Sequence, residues 1–233
     1  MLKRNIAILI VAFNEEEAIG DLLLQIPREF HVYVIDDGST DRTGSIAREK
    51  GAKVIRLPIN LGQGAAAIVG YKIVAMEGHD FIVKMDGDGQ HDPKEIYKFI
   101  EELEVSGVDT VVGSRLLGKN YRGAPLMRKI FLKPVNLILS KLTGYKFTDS
   151  MCGFRAFRGT SLKKLIPVFD KIVEPEYMAS EMWIRFSEAA ISVSEIPIHL
   201  KARRKGISYK GFFRYGWGIL QTIIRTKLDI FRS

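Results

Sequence analysis

Short apolar runs alternate with longer amphipathic segments through the first half of this 233-residue chain. The apolar runs have the length of strands and read NIAILIVAF, HVYVID, KVIRLP, DFIVKMD and DTVVGSR. The segments between them carry apolar residues at helical spacing, and Pro27 and Gly51 end the first two. Strands that alternate with helices form parallel sheets covered on both faces. We predict an α/β fold in which a mostly parallel sheet is sandwiched by helices.

Charged residues follow three of the predicted strands at the point where each strand ends. Asp36 and Asp37 end the second run, Asp86 and Asp88 follow the fourth, and Arg115 ends the fifth. Parallel strands direct their carboxyl ends to one edge of the sheet, which is where ligands bind in folds of this type. The sequence therefore predicts one site built from these three clusters.

The stretch KMDGDGQHDP places two carboxylates two positions apart, among glycines. Asp86 and Asp88 can present oxygen atoms to one hard cation, and Gln90 can add a neutral oxygen. Mg²⁺ or Mn²⁺ bound there would neutralise a diphosphate leaving group. An ordinary surface turn is the alternative interpretation of the same residues. An EF-hand loop is excluded, because no Glu stands at the twelfth position of the pattern.

Two further motifs favour a nucleotide ligand. The carboxylates of VIDDGSTD can accept hydrogen bonds from a base or a ribose hydroxyl, although a helix cap would use similar residues. The glycine turn of NLGQGAAAIVG is suited to phosphate oxygens, but it is neither a Gly-x-Gly-x-x-Gly loop nor a Walker loop. Close packing of a helix on the sheet explains those glycines equally well.

The sequence contains no Gly-x-Ser-x-Gly or comparable nucleophile motif, which favours direct displacement without a covalent intermediate. A phosphate acceptor is already anionic near neutral pH, because the second pKa of a phosphate is about 6. Such a nucleophile needs guanidinium groups to position it more than it needs a base. Arg115, Arg128 and Arg203 are the candidates.

Basic charge is concentrated in two segments. Residues 115–146 hold eight Lys/Arg and no acid, and residues 199–233 hold nine Lys/Arg and one acid, in a chain of net charge +8. Both contain amphipathic stretches with large apolar residues on one side, the pattern of a helix that lies in a membrane interface. Solvated helix faces and core packing are the alternatives. Nucleic-acid binding is disfavoured, because no RNA-binding motif is present.

The single cysteine excludes a disulfide framework and favours a reducing compartment. The opening MLKRNIAILIVAFNEEE has no small-residue cleavage site, so we interpret it as a strand and not as a signal peptide. Nowhere do about 18 uncharged apolar residues run together. We expect a peripheral protein at the cytoplasmic face of a membrane, with no signal peptide and no transmembrane span.

Seven motifs occur in the order found in dolichyl-phosphate mannose synthases. They are VAFNEEEAI, VIDDGSTDRT, NLGQGAA, DGDGQHDP, VVGSR, DSMCGFRAFR and SEIPIHLKARRKGIS. Over residues 5–210 the chain resembles these enzymes and the wider family-two inverting glycosyltransferases with the A-type fold. The resemblance implies metal-dependent transfer of a sugar, with inversion, from a nucleotide diphosphate sugar to a polyprenyl phosphate such as dolichyl phosphate.

The resemblance also implies roles for individual residues. The implied nucleotide-sugar ligands are Phe13, Glu15, Asp37, Asp86, Asp88, Glu181 and Arg203, with Glu181 facing the sugar pocket. The implied metal ligands are Asp86, Asp88 and Gln90, and the implied lipid-phosphate ligands are Arg115, Arg128 and Lys133. Asp88, Arg115 and Arg128 carry the implied catalytic roles.

Three positions depart from the family pattern. Val11 stands where a Pro is usual, Gln63 where a Lys is frequent, and Leu132 where a Ser is common. These changes leave the nucleotide and metal interpretation intact and leave the exact acceptor open. Two alternatives therefore stay open: a glycosyltransferase acting on a hydroxyl acceptor, with Glu181 or Asp149 as its base, and a non-catalytic membrane-docking protein of the same fold.

We divide the chain into a catalytic domain and a C-terminal helix. Residues 1–210 form the catalytic domain, which includes the basic amphipathic segment 115–146, and residues 211–233 form an amphipathic helix. Both amphipathic pieces are expected to lie in the membrane interface, with or without a separate membrane protein as partner.

Overall fold

The structure is a computed structural model that describes residues 4–117, 126–201 and 212–230, with the backbone alone for residues 126–131, 212–215 and 230. The strands of the described residues are β1 (Ile6–Ala12), β2 (His31–Asp36), β3 (Lys53–Arg56), β4 (Phe81–Asp86), β5 (Thr110–Ser114), β6 (Arg155–Arg158) and β7 (Val193–Pro197). Their α-helices are α1 (Glu16–Leu24), α2 (Thr43–Glu49), α3 (Gln63–Ala75), α4 (Ile96–Ser106), α5 (Leu126–Thr143), α6 (Gly159–Lys164), α7 (Ile166–Asp170), α8 (Met178–Glu188) and α9 (Phe212–Ile230). Short 3-10 helices lie at Pro93–Glu95 and Pro175–Tyr177.

The strands form one sheet in the order β3-β2-β1-β4-β6-β5-β7. All seven residues of β1 are buried, as expected of a strand that helices cover on both faces. β1 pairs in parallel with β2 and β4, and β5 pairs in parallel with β7. The predicted α/β fold with a mostly parallel sheet sandwiched by helices is confirmed.

One reversed strand interrupts the parallel order. β6 lies between β4 and β5 and is antiparallel to both, with Arg155 opposite Lys84 on one side and opposite Val112 on the other. Because adjacent strands lie about 4.8 Å apart, the ends of β4 and β5 are separated by roughly 10 Å. The five strands predicted from the sequence do not include this one. Its insertion sets the width of the edge that carries the charged residues.

Helices pack closely on the two faces of the sheet. On one face Gly70 of α3 lies against Leu9 and Ile35, and a Cβ atom added there would come within 2.7 Å of Leu9. On the other face Phe99 of α4 lies against Gly113. Glycine at these two positions lets the helix and the sheet approach closely, which fixes where the ends of α3 and α4 lie.

The C-terminal helix α9 packs on α5, on α8 and on the 3-10 helix Pro175–Tyr177. Gly218 lies directly under the ring of Tyr177, where an added Cβ would be 2.1 Å from a ring carbon. α5 runs through Pro134 as one helix. No helix within the three described ranges is long and apolar enough to cross a membrane. The division at residue 210 and the interfacial role of these helices stay predictions.

Candidate active site

The carboxyl ends of β2, β4 and β5 meet at the same edge of the sheet. Asp36 is the last residue of β2, Asp86 is the last residue of β4, and Arg115 directly follows β5. The structure therefore brings the three predicted charged clusters to one edge. β1, with Phe13 one residue beyond its end, lies between β2 and β4.

Asp86 is held by three partners, two of which donate to its carboxylate and one of which accepts from its backbone N–H. Its Oδ1 atom accepts a hydrogen bond from Nε2 of Gln63 at 2.6 Å and forms an ion pair with the ammonium of Lys84. His91 accepts a hydrogen bond from the backbone N–H of Asp86 through Nδ1 at 3.1 Å. Burial opposes ionisation of Asp86, but the Lys84 ammonium holds the pKa of this carboxyl well below its usual range. The first aspartate of the motif is thus ionised at neutral pH.

His91 is a neutral support for this turn. Its ring stacks on Phe154 with centroids 4.7 Å apart, and burial lowers the pKa of His91 to about 4. Since Nδ1 accepts a hydrogen bond, the ring proton resides on Nε2, which lies 4.0 Å from Oδ2 of Asp86. His91 therefore helps to orient Asp86 through the hydrogen bond with its backbone N–H. A histidine after Asp-x-Asp-x-Gln was visible in the sequence, but its contact with Asp86 was not predicted.

The turn after Asp86 presents Asp88 and Gln90. Gly89 has a φ of +73°, a conformation that favours glycine, and Oδ1 of Asp88 accepts a hydrogen bond from the Gln90 N–H at 3.0 Å. The Gln90 carbonyl accepts a hydrogen bond from Lys201 N–H at 2.8 Å. This bond ties the turn to the chain that leads into residues 202–211, which contain Arg203.

The residues of this turn fit a divalent cation. They offer two carboxylates and one amide oxygen, a set of hard donors that suits Mg²⁺ or Mn²⁺. A cation already lies on Asp86, in the form of the Lys84 ammonium. In the three described ranges, no cluster of three or more His, Cys, Asp or Glu side chains could enclose a metal ion by itself. Two carboxylates with open positions match an ion that is shared with ligand phosphates.

Asp37 is committed to a neighbouring loop. Its two carboxylate oxygens accept hydrogen bonds from the N–H groups of Leu61 and Gly62 at 2.8 and 2.9 Å. Burial raises the pKa of the Asp37 carboxyl. Asp36 similarly accepts a hydrogen bond from Ser39 N–H at 2.9 Å. These aspartates shape the two loops at the edge, and a role of Asp37 toward a nucleotide stays a prediction.

Phe13 and Glu15 flank a strained residue. Asn14 has a φ of +53°, and its Oδ1 accepts a hydrogen bond from Thr40 N–H at 2.9 Å. The N–H of Glu15 donates to Oγ1 of Thr43 at 2.8 Å. Phe13 is 42% exposed, which is unusual for an aromatic side chain at the end of a central strand. An open aromatic face beside two ordered loops is suited to stacking against a base.

Arg115 is buried against Asp149. Its Nε and Nη2 atoms donate to the two oxygens of Asp149 at 2.5 and 2.6 Å, and its backbone N–H donates to the same carboxylate at 3.1 Å. Glu195 of β7 in turn accepts a hydrogen bond from the N–H of Asp149 at 2.9 Å. The predicted phosphate ligand is therefore oriented by a carboxylate that lies 34 residues away in the chain.

Glu181 has its own set of partners. It accepts hydrogen bonds from Arg185 at 2.7 Å and from the N–H groups of Val173 and Glu174 at 3.0 and 3.3 Å. These bonds fix the segment before Pro175. The carbonyl oxygen of Pro175 lies close to Gly64, because a Cβ atom added to Gly64 would be 1.8 Å from it. Glu181 thus positions the segment that packs on the start of α3. Its role at the sugar pocket stays a prediction.

Three further residues were predicted as phosphate ligands: Arg128, Lys133 and Arg203. Lys133 is exposed on α5. The side chain of Arg128 and the whole of Arg203 lie outside the described residues. The residues that sequence reasoning missed are Lys84 and His91 as partners of Asp86, and Asp149 with Glu195 behind Arg115. A lysine inside the apolar run DFIVKMD was the signal for Lys84, because a buried ammonium needs an anion nearby.

The fold and this edge together place the chain among the glycosyltransferases of the A-type fold. Comparison with known proteins makes the assignment specific: the chain belongs to the family described as glycosyl transferase family 2, whose model matches residues 7–166. The predicted resemblance and the glycosyltransferase activity are confirmed.

Characterised relatives cover most of the chain. Over 219 residues it is 32% identical to the UDP-N-acetylglucosamine–dolichyl-phosphate N-acetylglucosaminyltransferase of Methanococcus voltae. The aligned region covers 85% of this chain and 86% of that enzyme. Over 212 residues it is 28% identical to the polyprenol monophosphomannose synthase of Mycolicibacterium smegmatis, with 86% and 79% covered.

A solved structure with the same fold is glucosyl-3-phosphoglycerate synthase from Mycobacterium tuberculosis, crystallised with Mn²⁺, UDP and glucosyl-3-phosphoglycerate. It matches with a TM-score of 0.66 over 96% of this chain and 80% of that chain, at 18% sequence identity. Other crystals of the same enzyme hold Mn²⁺ with UDP-glucose, or Mg²⁺ with UDP. At this identity the match shows the fold alone.

Proposed function

We propose that this glycosyltransferase transfers a hexose from a nucleotide diphosphate sugar to a polyprenyl phosphate such as dolichyl phosphate, with inversion and with a divalent cation, at a membrane surface. The observation that carries the proposal is the carboxyl edge of the sheet, where the Asp86–Asp88 turn and the Asp149-bound Arg115 lie about two strand spacings apart. Both relatives described above have names that specify a polyprenyl-type phosphate acceptor.

The donor would bind across the ends of β1, β2 and β4. Phe13 would stack on the base, and the loops that Asp37 and Asn14 hold in place would enclose the nucleoside. Asp86, Asp88 and Gln90 would hold Mg²⁺ or Mn²⁺. When bound, the ion would neutralise the charge that develops on the departing diphosphate. Asp86 is oriented for this role by Gln63, Lys84 and His91.

The acceptor would approach from the side of β5. Arg115 is fixed in orientation by two hydrogen bonds to Asp149, so the plane of its guanidinium has a set direction. A phosphate oxygen aligned by such a guanidinium needs no base, since it is already anionic near neutral pH. A single displacement by that oxygen inverts the anomeric carbon. Arg128 and Lys133 of α5 would extend the same basic surface.

The state of the candidate bases favours a phosphate acceptor over a hydroxyl. A hydroxyl acceptor needs a general base, and the candidates were Glu181 and Asp149. Each carboxylate accepts two hydrogen bonds from an arginine, at 2.8 Å or less. A substrate hydroxyl would have to compete with these guanidinium donors for the carboxylate oxygens.

The exposed surface of α5 and α9 supports a position at the membrane. The large side chains of Trp217, Ile224 and Leu228 are all more than half exposed on one side of α9. Leu137 is also more than half exposed on α5, where Lys133 and Lys141 lie at the surface. Apolar side chains with lysines around them are suited to an anionic lipid interface. This surface is consistent with a peripheral enzyme at the cytoplasmic face.

The proposal is tested by a transfer assay with purified protein. GDP- and UDP-linked hexoses and N-acetylhexosamines are each offered with dolichyl phosphate or with dolichol, in the presence of Mn²⁺ or of EDTA. We expect transfer to the phosphate only, with one of the donors, and loss of transfer in EDTA. Transfer to dolichol, or equal transfer in EDTA, would contradict it. Absence of transfer with every donor would favour the membrane-docking alternative.

A further inference from the structure

A lysine lies inside a buried strand of the candidate site, β4. Lys84 is 3% exposed, and its neighbours Val83 and Met85 in β4 are fully buried. Taking an ammonium group out of water costs several kcal/mol unless an anion compensates for it. The ion pair that the structure gives Lys84 is with Asp86, two residues along the same strand. Lys84 is therefore bound to a residue that the proposed mechanism assigns to the metal.

The two partners of this ion pair differ in their access to solvent. The side chain of Lys84 is 4% exposed, whereas that of Asp86 is 21% exposed. The ammonium thus lies beneath the carboxylate, and the carboxylate faces the open edge. Gly153 covers the pair, since an added Cβ would lie 2.7 Å from Oδ2 of Asp86 and 3.2 Å from Nζ of Lys84.

A second buried cation lies on the neighbouring strand. Arg155 of β6 lies directly opposite Lys84 and is 2% exposed. Its Nε atom donates to the Cys152 carbonyl at 2.8 Å, and its guanidinium lies 5.0 Å from the ring centre of Trp183. Arg155 is thus held by other partners, and Lys84 is the buried cation that pairs with Asp86. A divalent cation that approaches Asp86 from the open edge is repelled by the Lys84 ammonium, with little water between to screen the charges.

We infer that Lys84 is a built-in counter-cation that competes with the divalent ion for Asp86, so that the ion binds tightly only together with a nucleotide diphosphate. The inference rests on the proposed metal-dependent function. Lys84 keeps Asp86 ionised and in place before the ion arrives, through the same Oδ1 atom that Gln63 contacts. The diphosphate then supplies the negative charge that the two carboxylates lack while Lys84 is paired with one of them. The site thus discriminates against a metal ion without its substrate.

The test is a titration of Mn²⁺ into purified protein, with free Mn²⁺ followed by electron paramagnetic resonance. The variant is K84Q, which keeps a hydrogen-bond donor but removes the charge. The matched control is K72Q, because Lys72 is a more exposed lysine that pairs with Asp170. Without nucleotide we expect K84Q to bind Mn²⁺ about tenfold more tightly than wild type, or about 1.4 kcal/mol. K72Q should match wild type.

Added nucleotide diphosphate separates this inference from the proposed function. With UDP or GDP present, the difference in Mn²⁺ affinity between K84Q and wild type should shrink to about threefold or less. The phosphates then supply negative charge that offsets the repulsion between Lys84 and the ion. One outcome is that wild type binds Mn²⁺ in the presence of a nucleotide while K84Q without nucleotide binds it no more tightly than wild type does. In that case the inference about Lys84 is wrong and the proposed function stands. If Mn²⁺ binds neither protein with either nucleotide, both are wrong.

A poorly folded K84Q would still decide the question. Removal of the ammonium leaves a partly buried carboxylate without its partner, so a divalent ion should compensate for the loss. We expect the Tm of K84Q to rise on addition of millimolar Mn²⁺ by more than the Tm of wild type or of K72Q. An equal or smaller rise would overturn the inference without any measurement of sugar transfer.

Discussion

The two ends of the sheet bury polar side chains in different ways. At the amino end, His79 donates from Nδ1 to Oδ1 of Asn5 at 2.8 Å and accepts at Nε2 from the hydroxyl of Tyr33 at 2.8 Å. The donors and acceptors of these neutral groups satisfy one another. At the carboxyl end, Lys84 and Asp86 form a charged pair that is open on one side to solvent. The neutral cluster around His79 is suited to a structural role, whereas the charged pair of Lys84 and Asp86 is suited to binding a charged ligand.

This difference has an energetic consequence. A satisfied neutral network contributes to stability and offers nothing to a ligand. Buried ion pairs such as Lys84–Asp86 and Arg115–Asp149 contribute little net stability, because desolvation offsets their attraction. What they do provide is fixed charge at a fixed place, which is what a phosphate ligand and a divalent cation need. Changes at the carboxyl end should therefore affect activity first, and changes at the amino end should affect only stability.

Asp88→Asn, at the carboxyl end of the sheet, is expected to have the largest effect on sugar transfer. A variant with normal transfer would contradict the difference drawn between the two ends. The substitution keeps the shape of the side chain but removes the charge of a proposed metal ligand. Loss of several kcal/mol of charge stabilisation lowers the rate of sugar transfer by about 10³-fold or more. The Tm should change little. The exposed Asp170→Asn serves as control in the same assay, and near-normal transfer by Asp88→Asn would contradict the proposed mechanism.

Asp149→Asn should be the most destabilising of these changes. Arg115 would keep a neutral partner but lose the charge that compensates its burial. Removal of one partner from a buried ion pair destabilises a protein by about 3–5 kcal/mol. Urea unfolding measures the difference directly. Glu174→Gln removes the exposed pair with Arg225 and should have an effect of less than about 1 kcal/mol. Equal effects of the two substitutions would show that Arg115 does not depend on Asp149.

His79→Phe sharpens the comparison from the amino end. The substitution leaves the buried hydroxyl of Tyr33 without its acceptor, which should destabilise the protein by about 1–3 kcal/mol. Sugar transfer per folded molecule should equal that of wild type, because the change lies at the opposite end of the sheet. Urea unfolding and the transfer assay are run on the same preparation. A loss of transfer at constant folded fraction would mean that the two ends are coupled.

The pH dependence of stability provides the smallest expected effect. Burial, and then the neighbouring His31, lower the pKa of His79 below its usual value. The unfolded chain therefore binds a proton that the folded protein excludes. This contribution to stability is fully present above about pH 6.5 and is lost as the pH falls toward the folded pKa, by at most about 1.4 kcal/mol per pH unit.

Urea unfolding at pH 7.5 and pH 5.5 checks this sign. Wild type should lose more stability between the two values than His79→Phe, because the variant has no histidine to protonate at this position. His31, Glu77, Lys53 and Asp80 also interact with His79, and all four are the same in the two proteins that are compared. Parallel losses in the two proteins would show that His79 titrates normally in the folded state.

Local sequence patterns were sufficient for most of the fold. The apolar runs predicted β1 to β5, because each run has the length and composition of a buried strand. β6 was missed as a strand. It has only four residues, two of them arginines, and it forms because its backbone bridges β4 and β5. No local pattern reports a pairing that depends on two distant strands.

The site was predictable to the same extent. Asp86, Asp88 and Arg115 were placed correctly at one edge, because the ends of parallel strands must meet there. Their partners were not predicted. Elsewhere in the molecule one ion pair could have been predicted from the sequence. Glu181 and Arg185 are four residues apart on a helix, a spacing that favours an ion pair.

The sequence by itself determined which segments become strands and helices, and which charged residues follow the strands. These properties depend on the spacing of neighbouring residues, so they can be read along the chain. Only the tertiary structure decided which charges neutralise one another. Arg115 meets Asp149 because β6 returns the chain between β4 and β5, and Lys84 meets Asp86 under a glycine that lies 67 residues beyond Asp86. Burial makes each of these pairings obligatory, and burial is a property of the folded protein and not of any segment.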